Sequence, residues 1–315
     1  MPKPGIIVVG ASAGGVEALQ VLAAGVPANL DASVFVVLHI GAGIDGQSHL
    51  PAILSKAGKL PAVQPKDGAQ IELGKIYVAP PDCHLLLEKG SVHLSHGPKE
   101  NWTRPAINPL FRSAAATYGA GVIGVILSGT LDDGIAGLAE VKRRGGIAVV
   151  QDPQSALHSS MPLNAIKRVD VDHVVPLSHI GRFVADLVGT ERIAAVQEQP
   201  MSRTPSDLTC PECRGPLWEE RQGRIVEYTC RVGHRYTPVA MEAEHRSTVE
   251  RSLWSSLVAV GEAAEIAEKL APELSESAPD EARRYREQAA SLKEILKRLA
   301  ALMVRGCPTK SYSRS

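Results

Sequence analysis

Three residue types that could act together stand at the ends of three apolar runs. Gly10-Ala11-Ser12-Ala13-Gly14-Gly15 follows the β-branched run Ile6-Ile7-Val8-Val9 and precedes a helical pattern of Val16, Leu19 and Leu22. His39 ends a second run, Ser33-Val34-Phe35-Val36-Val37-Leu38, and Asp132-Asp133 follow a third, Val122-Ile123-Gly124-Val125-Ile126-Leu127. A serine alone is a weak nucleophile at neutral pH. An imidazole can take its proton, and a carboxylate can fix the imidazole tautomer and stabilise the imidazolium. Gly-x-Ser-x-Gly between a strand and a helix presents a hydroxyl beside backbone N–H groups able to hold an oxyanion. The same turn also reads as a phosphate cradle, or as a tight βα turn with no chemistry. As a dinucleotide fingerprint it fits poorly, because Ser12 stands where the second glycine should be. The plain readings of the other two are a strand-end histidine bonded to backbone and an aspartate capping a helix.

The elements that must position these groups are strands alternating with helices. Further strands are read at Ile147-Ala148-Val149-Val150 and Val174-Val175, and helices near 109–116, 135–144, 160–167 and 180–188. Between 61 and 96, short apolar runs separated by Gly68, Gly74, Pro80-Pro81 and Gly90 read as β-hairpins on one sheet edge. This alternation implies right-handed βαβ crossovers and a doubly wound, mostly parallel α/β sheet. Ser12, His39 and Asp132-Asp133 then share the C-terminal edge of the sheet, where such folds build their sites.

The 315 residues suffice for one large domain and a smaller one, and 34 basic residues balance 34 acidic ones. No bulk charge argues for nucleic acid or an anionic membrane. No apolar run approaches the ~20 residues of a membrane span. A strand begins almost at once after Met1, so the expectation is no signal peptide. Five cysteines, three of them in one short window, point to thiolate ligands in a reduced, cytoplasmic compartment.

The first 190 residues resemble the catalytic domain of chemotaxis protein-glutamate methylesterases, the CheB family. The resemblance rests on residues 10–15, 37–39 and 127–134, supported by Arg104-Pro105-Ala106-Ile107-Asn108-Pro109-Leu110-Phe111-Arg112-Ser113, by Ala79-Pro80-Pro81-Asp82-Cys83-His84-Leu85, and by Gln151-Asp152 through Met161-Pro162-Leu163-Asn164-Ala165-Ile166. It implies hydrolysis of γ-glutamyl methyl esters on a methylated chemoreceptor-like protein, with glutamine deamidation as an accompanying activity. It implies Ser12 as nucleophile, His39 as general base and Asp133 as the orienting carboxylate, with oxyanion support from N–H groups at the start of the first helix. Asp132 stands where the family usually has asparagine. Ala13, Thr130-Leu131 and Asn108 also depart from the family's usual residues. Members often carry a receiver domain before the catalytic one; this chain starts at the first catalytic strand, so the expectation is no receiver, and the sequence does not name another regulator. The alternative is a non-catalytic signalling module with a degenerate esterase domain.

Beyond a polar linker read at 191–207, Cys210-x2-Cys213 and Cys230-x3-His234 provide four ligands suited to tetrahedral zinc. Leu217, Trp218, Ile225, Val226 and Tyr228 form the hairpin between them. The reading is a structural zinc-ribbon-like module at 208–237. A helical hairpin follows over 238–305, with apolar stripes expected to pack on each other and Asp280 as the second helix's cap, and 306–315 read as a flexible tail. The expected chain is thus a 1–190 α/β catalytic domain with a hairpin edge, a ribbon and a helical hairpin.

Overall fold

The computed structural model describes residues 5–39, 48–190 and 200–305. The linker positions 191–199 and the tail 306–315, both read above, fall outside them. The chain opens β1 (Ile6–Ala11), α1 (Gly15–Gly25), β2 (Ser33–Leu38), α2 (Leu50–Ala57), β3 (Ala62–Val63) and β4 (Ile76–Val78). It continues through β5 (His84–Glu88), β6 (Ser91–Ser95), α3 (Ile107–Tyr118), β7 (Val122–Ile126), α4 (Ile135–Arg143), β8 (Ile147–Gln151), α5 (Ser160–Arg168), β9 (His173–Val175) and α6 (Leu177–Asp186).

Seven of these strands form one sheet in the order β3-β4-β2-β1-β7-β8-β9, and every pairing in it is parallel. From β1 the chain adds β2 beside it, crosses to β3 at the edge, fills in β4 between β3 and β2, and then returns to β7 on the other side of β1. The switch in strand order therefore opens at the C-terminal end of β1. Both sheet faces are covered, which is why the strands read as unbroken apolar runs. Ile7 and Val9 of β1 join Leu19, Leu22, Ile180 and Val184 in one core. Ile6 and Val8 join Phe35, Leu110, Phe111 and Leu138 in the other.

The hairpin region differs from its sequence reading. The sheet edge is built by β4 and β3, added in parallel, whereas β5 and β6 pair antiparallel with one another as a separate two-stranded piece. Pro80-Pro81 cannot donate to a ladder, and Asp82 turns the chain with a φ of 57°. The hairpin is carried onto α3, where the Leu87 N–H donates to Ser113 Oγ and Thr117 Oγ1 donates to Leu87 O.

The second, antiparallel sheet comprises β10 (Met201–Thr209), β11 (Pro216–Gln222), β12 (Ile225–Cys230) and β13 (Arg235–Tyr236), in that order. Residues 201–207, read above as linker, are thus strand. They form an exposed edge with no alternation of burial, so the sequence carries no period-2 signal there. Arg203 holds its guanidinium 4.8 Å from the Trp218 ring centroid.

The contacts divide the chain into two compact units, Met1–Met241 and Glu242–Ser315. The ribbon belongs with the α/β layers. The second unit holds nearly all of α7 (Pro238–Glu273) and the whole of α8 (Pro279–Arg305). These helices meet through small residues: Ala264, Ala267, Ala271, Ala282 and Ala289 are buried, and Lys293 of α8 pairs with Glu268 of α7. Asp280 lies inside the first turn of α8 and not at its cap, because the helix already begins at Pro279. Its charge still favours that helix end.

Candidate active site

Ser12 is the first residue beyond β1. Its N–H donates to Ser128 O (3.0 Å), and its carbonyl accepts from Gly15 N–H (2.8 Å). The turn into α1 is completed by Gly14 at a φ of 69°, a conformation a side chain would strain. Ser128 ties the turn after β7 to this one: its hydroxyl donates to Ala13 O (2.9 Å) and accepts from His158 N–H (2.9 Å). Ala11 is in register with Leu38, so Ser12 and His39 leave adjacent parallel strands at the same level. The His39 N–H closes that step on Ala11 O (3.2 Å).

The imidazole of His39 is mostly buried and places Nε2 2.9 Å from Asp133 Oδ2. Thr103 Oγ1 lies 3.3 Å from the same nitrogen. That hydroxyl donates its own proton to Glu100 O (3.1 Å), so it faces the ring as an acceptor. With acceptors on both sides, Nε2 carries the ring proton and Nδ1 keeps its lone pair.

Asp133 is buried and takes three donors. Oδ2 accepts from His39 and from the Ile107 N–H at the start of α3 (2.6 Å). Oδ1 accepts from Asn101 Nδ2 (3.1 Å). Burial pushes its pKa up, but the His39 bond and charge, the Ile107 N–H and Asn101 outweigh that and hold it below the ordinary carboxylate value. Asp132 faces elsewhere. Arg168 reaches its Oδ2 at 2.6 Å, and Thr237 Oγ1 donates to its Oδ1. Burial, with help from the Asp133 charge, nevertheless raises its pKa. Of the two acids, Asp133 is the one that meets the histidine, the assignment expected for the acid before the glycine. Asn108 is fully buried and accepts from the Gly137 N–H (2.7 Å), so it ties α3 to α4.

The four ribbon residues also converge. The ligand atoms of Cys210, Cys213, Cys230 and His234 all lie within 4.8 Å of one another and could hold a metal ion. Sγ of Cys213 and Cys230 are 3.7 Å apart, and His234 Nδ1 lies 3.6 and 3.5 Å from Cys210 and Cys230 Sγ. A tetrahedron with metal–sulfur arms of ~2.3 Å and metal–nitrogen arms of ~2.0 Å has edges of about 3.5–3.8 Å, so the spacing fits. The other nitrogen, Nε2, meets Glu212 Oε2 at 2.8 Å, the kind of contact that fixes a ligand histidine's tautomer and aim. Burial pushes the Cys210 thiol up, but the Cys213 N–H and the Tyr236 hydroxyl overcome it and hold the thiol below its usual value.

Asn101, Thr103, Arg168 and Thr237 escaped the sequence reading. Asn101 and Thr103 sit just before the Arg104–Ser113 segment quoted above. Thr237 lies 105 positions from the acid it touches, beyond the reach of any local pattern.

Comparison with known proteins finds matches over the α/β part of the chain. A family model described as CheB methylesterase matches residues 7–184. A relative from Leptospira interrogans, named for protein-glutamate methylesterase/protein-glutamine glutaminase activity, is 40% identical over 178 residues, spanning 56% of this chain and 91% of its own. A protein-glutamate methylesterase/protein-glutamine glutaminase 2 of Methanosarcina acetivorans is 34% identical over 192 residues, covering 58% of this chain and 53% of the relative. The crystal structure of the Thermotoga maritima CheB methylesterase catalytic domain superposes with a TM-score of 0.56 at 31% identity, covering 60% of this chain and 100% of that one.

Proposed function

This chain belongs to the CheB methylesterase family, and from that premise we propose that it hydrolyses γ-glutamyl methyl esters on a methylated chemoreceptor-like protein, with Ser12, His39 and Asp133 as the catalytic residues. The observation that carries the assignment is the His39–Asp133 contact at the switch edge, one strand from Ser12. An ionised, buried Asp133 holds the Nε2 proton and leaves Nδ1 as the base. Nδ1 takes the Ser12 hydroxyl proton as Oγ attacks the ester carbonyl carbon. The N-terminal end of α1 supports the oxyanion. The imidazolium returns the proton to the departing methoxy oxygen, and methanol leaves a glutamyl–Ser12 ester. Water, deprotonated at the same nitrogen, attacks that ester and restores Ser12 with a free glutamate. A glutamine side chain follows the same route with ammonia leaving, which accounts for deamidation.

Zinc is the metal proposed for Cys210, Cys213, Cys230 and His234; four protein ligands leave no open position, so it supplies folding energy and no chemistry. Reduced thiolate ligands suit the cytoplasm. No helix among the described residues is long and apolar enough to cross a membrane. A non-catalytic module is not favoured, since the relatives that match this chain are named for protein-glutamate methylesterase activity.

The test is methanol release from methylated receptor by wild-type protein and by Ser12→Ala. We expect a loss of at least ~10³-fold. Equal rates would remove Ser12 from the reaction. Ammonia release from an unmodified glutamine site tests the second activity.

A further inference from the structure

The residues that hold the two acids do not all come from the α/β layers. β13 begins immediately after His234, and Thr237 follows it. The Thr237 hydroxyl donates to Asp132 Oδ1 and accepts from the Ala240 N–H (3.1 Å), so it caps α7 on the acid pair. Its N–H donates to Asn101 Oδ1 (2.9 Å), and Asn101 passes the contact on through Nδ2 to Asp133 Oδ1. Asn101 is itself pinned to the ribbon: its N–H donates to Arg235 O (2.9 Å).

The segment bearing Asn101 needs such support. Asn101 and Trp102 both have left-handed backbone, with φ of 47° and 68°. Asparagine tolerates this; tryptophan does so only when its surroundings insist. Here the Trp102 ring lies 5.0 Å from that of Tyr236 in β13 and packs into the small ribbon core of Cys210, Leu217, Cys230, Tyr236 and Met241. Thr103, next in the chain, is the residue against His39 Nε2. One short turn, held in shape by the ribbon, thus touches both the histidine and its acid.

We propose that Asn101 and Thr237 are positioning residues of the esterase reaction, and that the ribbon is through them a working part of the active site. This rests on the reading of Ser12, His39 and Asp133 as catalytic. Asp133 has two oxygens. His39 and Ile107 hold one, and only Asn101 holds the other among the described contacts. Without it the carboxylate can rotate about its terminal bond, and the imidazole turns with it. Misplacement of a catalytic group by about 1 Å costs up to ~10²-fold in rate. Asp132 fits the same device, because a carboxylate offers Thr237 an acceptor on one oxygen and Arg168 an ion pair on the other.

The experiment uses the full chain and a fluorophosphonate probe, which reports serine activation without a protein substrate. Four variants are compared with wild type: Asn101→Gly, which suits the left-handed backbone; Thr237→Val; Thr237→Ser; and Ser12→Ala. For each, the fraction of protein labelled, the labelling rate constant, and kcat and KM for methanol release are measured. The inference expects Asn101→Gly and Thr237→Val to lower the rate constant and kcat by about 10- to 100-fold with KM and labelled fraction unchanged. It expects Thr237→Ser to recover most of the loss. A smaller labelled fraction at the wild-type rate constant would make both residues merely structural and overturn the inference, as would wild-type kinetics throughout. Labelling and turnover that survive Ser12→Ala overturn the catalytic reading, and this inference with it. Labelling lost in Ser12→Ala but untouched in the other variants overturns only this inference.

Discussion

Asp133 shows how one buried carboxylate is kept ionised. Burial alone would protonate it; two N–H donors and an imidazole reverse the balance. Asp133→Asn keeps the shape but presents His39 with the wrong partner. An amide can stabilise no imidazolium, and we expect kcat to fall by about 10⁴-fold with little change in fold. Methanol release, beside a circular dichroism spectrum that matches wild type, checks this; a loss below tenfold would sink it. His84 is a second buried group with a sign to work out. Its Nε2 donates to Pro98 O, and its Nδ1 accepts from the Ala106 N–H, so the ring is neutral. Burial lowers its pKa. The unfolded chain therefore binds a proton first, near pH ~6.5. Stability is full above that value and declines as the pH falls from it to the lower folded value. Urea midpoints at pH 7.5 and 5.5 are expected to drop in wild type and to drop less in His84→Gln; equal drops would refute the assignment. Both acids at 132 and 133 were visible in the sequence, and the resemblance to the family pointed to the second. Their partners were not, because a hydrogen bond across 105 positions leaves no trace in local pattern.

At the level of elements, the strands that place Ser12, His39 and Asp133 were legible because parallel strands covered on both faces must be apolar throughout. The hairpin β5–β6 was read correctly as strands and wrongly as sheet edge. Strand composition reports burial, whereas partner choice depends on where the proline pair turns the chain. β10 was missed for the opposite reason: an exposed edge strand needs no apolar alternation. The ribbon's four candidate ligands were legible from spacing, since a metal site requires fixed donor types within reach. Its core holds few large side chains, so the metal is expected to supply much of its stability. Removing the metal with a chelator should cost about 3–5 kcal/mol, lowering Tm by roughly 10 °C. It should also change the fluorescence of Trp102, which packs on that core. An unchanged Tm after verified metal loss would show that the module stands without it.

Across the whole chain, the two units differ in what holds them. Met1–Met241 has two layered cores against a parallel sheet. In the second unit the buried positions among the described residues are alanines, while Val249, Val258 and Ile266 are exposed. Less apolar area is removed from water there, so its stability per residue is lower. We expect two unfolding transitions, with the helices melting first. The tryptophans allow the test: Trp102 and Trp218 report on the first unit and Trp254 on the second. Variants retaining only Trp254, or only the other two, should give non-coincident thermal curves. Coincident curves would mean a single cooperative block.

The residue types and their order determined the α/β alternation, the shared sheet edge and the set of four candidate metal ligands. Those follow from side-chain polarity and from the few residues that can turn a strand into a helix, which are local properties. Which oxygen of Asp133 meets which donor, and that a ribbon some 100 residues onward supplies the brace, was decided only when the chain closed on itself. Such contacts depend on the relative placement of rigid elements, and no short stretch of sequence encodes that placement alone.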